Sequence, residues 1–166
     1  MSPFGRLVKR GRNGRYRVRF DADVRDLLRS IPPQMRQLLT EERENDALRR
    51  LFPPAYVNEP ELEAEYQRLM GDDLVQRRLE ALEVMAVTID ADELDEDQLA
   101  AWLATLHDFR ITLGTAIDVT EETFAQRPDP SDPRLPSLAL YEVLTGLESE
   151  LVAALASGLP PPQADR

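Results

Sequence analysis

Residues 6–33 read RLVKRGRNGRYRVRFDADVRDLLRSIPP, and a change of period inside this stretch decides the fold. Tyr16, Val18 and Phe20 alternate with Arg15, Arg17 and Arg19, and a period of two predicts a strand. Asn13-Gly14 is a preferred pair for a two-residue type I′ turn, so residues 5–10 are expected as the partner strand. That register sets Leu7 opposite Phe20, Lys9 opposite Val18 and Gly11 opposite Tyr16 on an apolar face. The other face then pairs Arg10 with Arg17, Arg12 with Arg15 and Val8 with Arg19. From Asp21 or Asp23 the spacing becomes helical, with Val24, Leu27, Leu28 and Ile31 on one stripe, until Pro32-Pro33 is expected to end the helix.

Downstream the pattern is helical throughout. A second helix is expected to turn Met35, Leu38 and Leu39 inward, and a short one spans Ala47–Phe52 before Pro53-Pro54. Asn58 and Pro60 open another, with Leu62, Tyr66, Leu69 and Met70 on one side and a break at Gly71-Asp72-Asp73. The next carries Val75, Leu79, Leu82, Ala86 and Ile89. The acidic run Asp90–Asp97 reads as a connection, closed by an Asp95…Gln98 capping box that starts the helix of Leu99, Trp102, Leu106, Phe109, Leu113 and Ile117. Arg127–Pro136 is proline-rich and expected to be extended. The last helix runs over Ser137–Ser157, with Gly158 as its C′ residue. The expectation is a mainly α chain: a bundle of about six helices with an N-terminal antiparallel β-hairpin. Residues 1–157 form one domain, with the basic hairpin at 5–20 and a flexible, proline-rich tail at 158–166.

Composition limits the chemistry. A chain of 166 residues can bury a core without staples, and it has no cysteine, so disulfides, Cys-based zinc sites and thiol catalysis are excluded. One histidine cannot build a His-rich metal site, and the single lysine, Lys9, lies in no phosphate-binding glycine loop. His107-Asp108 is the only pair that resembles a catalytic one, and a lone His beside an Asp on a helix is usually structural. Met35, Met70 and Met85 read as buried gap-fillers. The sequence thus points to no enzyme, no catalytic residue, no cofactor and no metal. The start, MSPFGRLVKRGR, carries no signal-peptide core and no later segment is long enough for a membrane span, so a cytoplasmic protein is expected.

Charge is the feature that asks for a partner. The net charge is −11, yet residues 1–20 hold Arg6, Lys9, Arg10, Arg12, Arg15, Arg17 and Arg19 and no acid. The remainder therefore carries −11 less 7, or −18. Facing arginines repel and weaken a hairpin, so something anionic should offset Arg10, Arg12, Arg15, Arg17 and Arg19. Three sources are open. The acidic run Asp90–Asp97 can answer them within the fold or across a homodimer. A protein partner can add to the edge strand and be steered by the charge. Nucleic acid is the least favoured, because the acidic body repels it within a Debye length of about 8–10 Å. Leu140, Leu144, Leu147, Leu151 and Ala154 follow a seam that serves either a dimer or, more readily, the chain's own core.

The strings YRVRFDADVRDLLRSIPPQMRQLL, RRLFPPAYVNEPELEAEYQRLM and WLATLHDFRITLGTAI resemble, in this order, an actinobacterial family of uncharacterised proteins. Genes of that family tend to sit beside the protease adaptor ClpS and cysteine-biosynthesis genes, and one branch is named for an oxidative-stress transcriptional regulator (AosR-like). The resemblance covers about residues 4–157. It implies a non-enzymatic regulatory role exerted through protein contacts with the transcription machinery, and it carries over no site residue. A redox-sensing branch would work through cysteines, which this chain lacks.

Overall fold

The two-residue period gives way to the helical one where Asp21 Oδ1 accepts the Val24 N–H at 2.8 Å and caps the first helix. In the computed structural model, which describes residues 6–159, β1 (Val8–Arg10) and β2 (Tyr16–Val18) precede α1 (Ala22–Glu41) and a 3₁₀ turn (Asp46–Leu48). Then follow α2 (Pro60–Thr88), β3 (Glu93–Leu94), α3 (Glu96–Ala116) and α4 (Leu135–Ala156). Most of the expected tail, residues 160–166, and the expected strand start at residue 5 lie outside the described residues.

The hairpin forms, but its register is one residue from the expected one. Val8 faces Val18, Lys9 faces Arg17 and Arg10 faces Tyr16. The turn explains the shift. Gly11 N–H donates to Arg15 O at 2.7 Å and Gly14 N–H to Gly11 O at 3.2 Å, with Gly14 at φ +78°. This is a three-residue loop with a left-handed glycine, the alternative to a two-residue turn. Shifting a strand by one residue exchanges its faces. The expected register would bury Lys9; the observed one buries Val8, Tyr16 and Val18 and leaves the ammonium outside. The cross-strand pairs Arg10–Arg17, Arg12–Arg15 and Val8–Arg19 therefore do not form.

The acidic run is more than a connection. Glu93-Leu94 pairs antiparallel with β2, which makes a three-stranded sheet in the order β1-β2-β3. Tyr16 faces Leu94 and Arg17 faces Glu93, and Val18 N–H donates to Asp92 O at 2.9 Å. Two residues are too few to show a period.

Among the described residues there are four α-helices, not six, because two expected breaks do not occur. Proline at 32 and 33 removes two donors, yet Leu28, Ile31, Pro32, Met35 and Leu39 form one buried stripe, and this packing holds α1 together across them. Gly71 sits buried inside α2, where a mid-helix glycine costs only about 1 kcal/mol against a long continuous helix. The first turns of α2 are less covered than expected: Leu62, Leu69 and Met70 are exposed, so Met70 is not a buried gap-filler, whereas Met35 and Met85 are.

Helix α3 is the centre, packed on α2 along one side and α4 along the other. Leu99, Trp102 and Leu106 are fully buried. Trp102 Nε1 donates to Thr88 Oγ1 at 2.8 Å, and its ring stacks on Phe20 at 6.2 Å, which ties the strand-to-helix corner to the core. The expected capping box at Asp95 and Gln98 is formed. Leu144, Leu147, Leu151 and Ala154 of the α4 seam lie in this chain's own core. Gly158 has no positive φ. It is small for another reason, since a Cβ there would stand 3.0 Å from Tyr16 Oη and 3.1 Å from Arg10 Nε.

Pro33 is exposed, so replacing it tests the helix without opening the core. Pro33→Ala restores an N–H donor and removes a ring clash, and should raise the unfolding free energy by about 1–2 kcal/mol after the entropy gained by the unfolded chain is offset. Urea denaturation reads it; a loss of stability would show that the proline is adapted to a local kink.

Candidate functional site

The outward face of the sheet is a short row of charges. Lys9, Arg17 and Glu93 lie side by side on β1, β2 and β3. Lys9 against Arg17 is a like-charge pair and weakens the ribbon, while Glu93 on the far side of Arg17 offsets it. Glu93 Oε1 accepts Arg17 Nη2 at 3.3 Å, and Arg15 approaches through Nε at 3.8 Å from Oε2 and Nη2 at 3.4 Å from the Glu93 carbonyl. Both arginines are about half exposed, so each pair contributes at most about 1 kcal/mol.

The five arginines singled out from sequence do not share one face. Arg15 and Arg17 meet Glu93. Arg10 falls on the core-facing side and runs over the end of α4 beside Gly158, where a cation is favoured by the helix dipole. Arg12 is in the turn, and Arg19 lies beyond β2, its N–H bonded to Leu7 O at 2.8 Å. Two cations were missed. Arg6 and Lys9 join Arg10 and Arg12 around two clefts of about 460 Å³ each, one on either side of β1. The signal was present in the residue 1–20 charge count, but the slipped register had turned Lys9 inward. Among the described residues, no carboxylate lies within ion-pairing distance of Arg6, Lys9, Arg10, Arg12 or Arg19.

Asp90 and Asp92 of the acidic run are engaged elsewhere. Arg25, with its side chain mostly buried, donates to Ile89 O at 2.6 Å and Ala91 O at 3.3 Å, and stands 3.8 Å from Asp92. Arg29 bonds Asp90 at 2.5 Å. These two α1 arginines hold the chain where it leaves α2 and so present Glu93-Leu94 to β2.

His107 and Asp108 point to different partners. His107 Nδ1 stands 3.5 Å from Glu148 Oε2 of α4, and Asp108 pairs with Arg78 of α2. Glu148 also accepts Arg110 Nε at 2.7 Å, and Arg110 lies over the Tyr141 ring. These contacts tie α3 to its two neighbours. Among the described residues no cluster of three or more His, Cys, Asp or Glu could hold a metal ion, and no helix is long and apolar enough to cross a membrane.

Two measurements follow from this geometry. If backbone pairing and burial hold β3, Glu93→Gln should cost less than about 1 kcal/mol, whereas Leu94→Ala, which empties a fully buried position, should cost about 2–5 kcal/mol. Equal losses in urea denaturation would mean that charge holds the strand. Burial of Asp108 raises its pKa above the usual carboxylate value, against the opposing pull of Arg78. The folded state then binds a proton more tightly than the unfolded one. The resulting stability is present below the unfolded pKa and is lost as pH rises through the raised value. Relative to Asp108→Asn, the parent should lose stability with rising pH in that window; a gain there would reverse the sign.

A search of the curated proteins found no match, and neither did a search of the solved structures. A family does match: residues 1–155 fit the domain of unknown function DUF2017. With nearly the whole length covered, from the basic hairpin to the last turn of α4, this chain belongs to the DUF2017 family.

Proposed function

We propose that this chain is a non-enzymatic regulatory binding protein, acting by protein–protein contacts in transcriptional or stress regulation, with the cationic hairpin as its docking surface. One observation supports this reading above the others. After Glu93 has met Arg15 and Arg17, the cations Arg6, Lys9, Arg10, Arg12 and Arg19 remain without a carboxylate among the described residues. They stand on a chain whose remaining residues are strongly acidic. Such a local field speeds encounter with an anionic surface and selects against cationic ones. The resemblance to the actinobacterial, ClpS-neighbouring family with its AosR-like branch makes the transcription machinery the partner of choice. Cysteine switching is not part of the proposal, since the chain has none.

The alternative is an assembly role, a homodimer whose hairpin grips the acidic segment of its mate. It has less to draw on, because Asp90, Asp92 and Glu93 already meet Arg29, Arg25 and the hairpin within one chain. Nucleic acid remains the weaker partner, as Tyr16 is wholly buried and Phe20 stacks on Trp102, so neither ring is offered for stacking.

The triple variant Lys9→Ser, Arg12→Ser, Arg19→Ser separates these roles. It should melt within about 2 °C of the parent or above it, since repulsion is removed and no ion pair is lost. Its affinity for purified RNA polymerase at about 50 mM salt should fall at least tenfold, and the parent's affinity should fall with added salt. No binding by the parent, or equal binding by the variant, sinks the proposal. A drop of several degrees with loss of a dimer in light scattering would favour the assembly role.

A further inference from the structure

Of the ten large apolar side chains exposed among the described residues, five fall between residues 56 and 70: Tyr56, Val57, Leu62, Leu69 and Met70. Leu69 is 62% exposed and Leu62 43%. At about 100° per residue, Leu62, Tyr66, Leu69 and Met70 make one stripe along the first turns of α2. That stripe is centred on the side of the helix opposite Gly71, Val75 and Leu82, which are buried. No residue of α2 before Gly71 is buried, so the core makes no use of this face. Tyr56 and Val57 extend it sideways. The Tyr56 ring meets Tyr66 edge-on at 6.1 Å, and the Tyr56 N–H donates to Glu63 Oε2 at 2.8 Å. Single exposed apolar residues are ordinary on a protein surface, but a connected group of this kind marks a contact surface.

Charge says what covers it. Residues 59–73 hold Glu59, Glu61, Glu63, Glu65, Asp72 and Asp73 against one cation, Arg68, for a net −5. Helical spacing sets Glu61, Glu65 and Asp72 along one edge of the stripe and Glu63 along the other. Arg68 stands 3.9 Å from Glu65, and Arg43 takes Asp72 at 3.2 Å. Glu61, Glu63 and Asp73 meet no cation among the described residues. A second copy laid on the same face would set these acids against their own kind, and an anionic lipid surface would be repelled likewise. We infer that the first turns of α2 dock a basic amphipathic helix of a partner protein. Its apolar side covers Leu62, Tyr66, Leu69 and Met70, and its flanking lysines or arginines meet Glu61, Glu63 and Glu65. The stripe from Leu62 to Met70 is about 12 Å long at 1.5 Å per residue, so about three turns of partner cover it. A helix fits because a ridge at i, i+3 and i+4 settles between side chains that repeat with the same period. This surface is separate from the hairpin and opposite to it in charge, so the inference does not rest on the docking proposal.

The probe is a dye-labelled, amidated helical peptide of about four turns, built of Leu and Lys with Leu at i, i+3, i+4 and i+7, followed by fluorescence anisotropy on the full chain at about 150 mM salt. The double variant Leu62→Gln, Leu69→Gln removes the stripe and no buried side chain. It should melt within about 2 °C of the parent and bind the peptide at least about tenfold more weakly. A scrambled peptide of the same composition, with no helical period, should also bind the parent at least about tenfold more weakly, and so should the same pattern built of Leu and Glu. The hairpin variant Lys9→Ser, Arg12→Ser, Arg19→Ser should bind as the parent does. Should the double variant fold poorly, Glu61→Lys, at an exposed side chain without a cation, tests the charge match and should weaken binding about threefold or more. No binding by the parent, equal binding by the folded double variant, or no loss in Glu61→Lys overturns the inference. Equal binding of the scrambled peptide overturns it as charge attraction alone. A parent dimer that the double variant loses in light scattering would assign the stripe to a second copy instead. Adsorption to phosphatidylcholine vesicles that the double variant loses would assign it to lipid.

Discussion

A ribbon with lysine and arginine facing each other does not hold itself together, and in this protein the third strand makes the difference. Glu93-Leu94 brings one carboxylate to the cationic face and one leucine to the core, and its backbone satisfies the inner edge of β2. Everything proposed about binding at the hairpin depends on this. With β3 in place β2 is paired on both sides among the described residues, and the cations that Glu93 does not reach stand on and beside β1.

The acidic strand is itself presented by the bundle. Arg25 takes the carbonyls of Ile89 and Ala91 just past α2, Arg29 holds Asp90, and Trp102 bonds Thr88 while stacking on Phe20. The corner between sheet and helices is thus fixed by groups from α1, α2 and α3 together. Among the more buried polar contacts, Arg78 with Asp108 ties α2 to α3, and Arg110 with Glu148 ties α3 to α4. Such pairs add little net stability for their desolvation, but they penalise other packings of the same helices.

Much of this was legible from residues alone. The alternation at Tyr16–Phe20, the Asp95–Gln98 box and the stripe from Leu99 to Phe109 each have a local cause, and each appears as read. Non-local effects account for what was missed. Pro32-Pro33 and Gly71 are local breakers overridden by a buried stripe and a long helix. The hairpin register turned on whether Lys9 or Val8 would be buried, a choice that a two-residue turn preference obscured. The third strand is two residues long, and its only signal was a charge match to a segment far away in sequence. In the observed register the five arginines of the candidate site lie in four environments, and Lys9 stands at its rim.

Native-state hydrogen exchange tests most directly whether the acidic strand anchors the cationic ribbon. The Tyr16 and Val18 amides, which face β3, should exchange only through global unfolding, with the same free energy as core amides of α3 such as Leu106. If they instead exchange as fast as the turn at Arg12–Gly14 while α3 stays protected, the sheet opens independently of the bundle, and the fixed binding surface built on it does not exist.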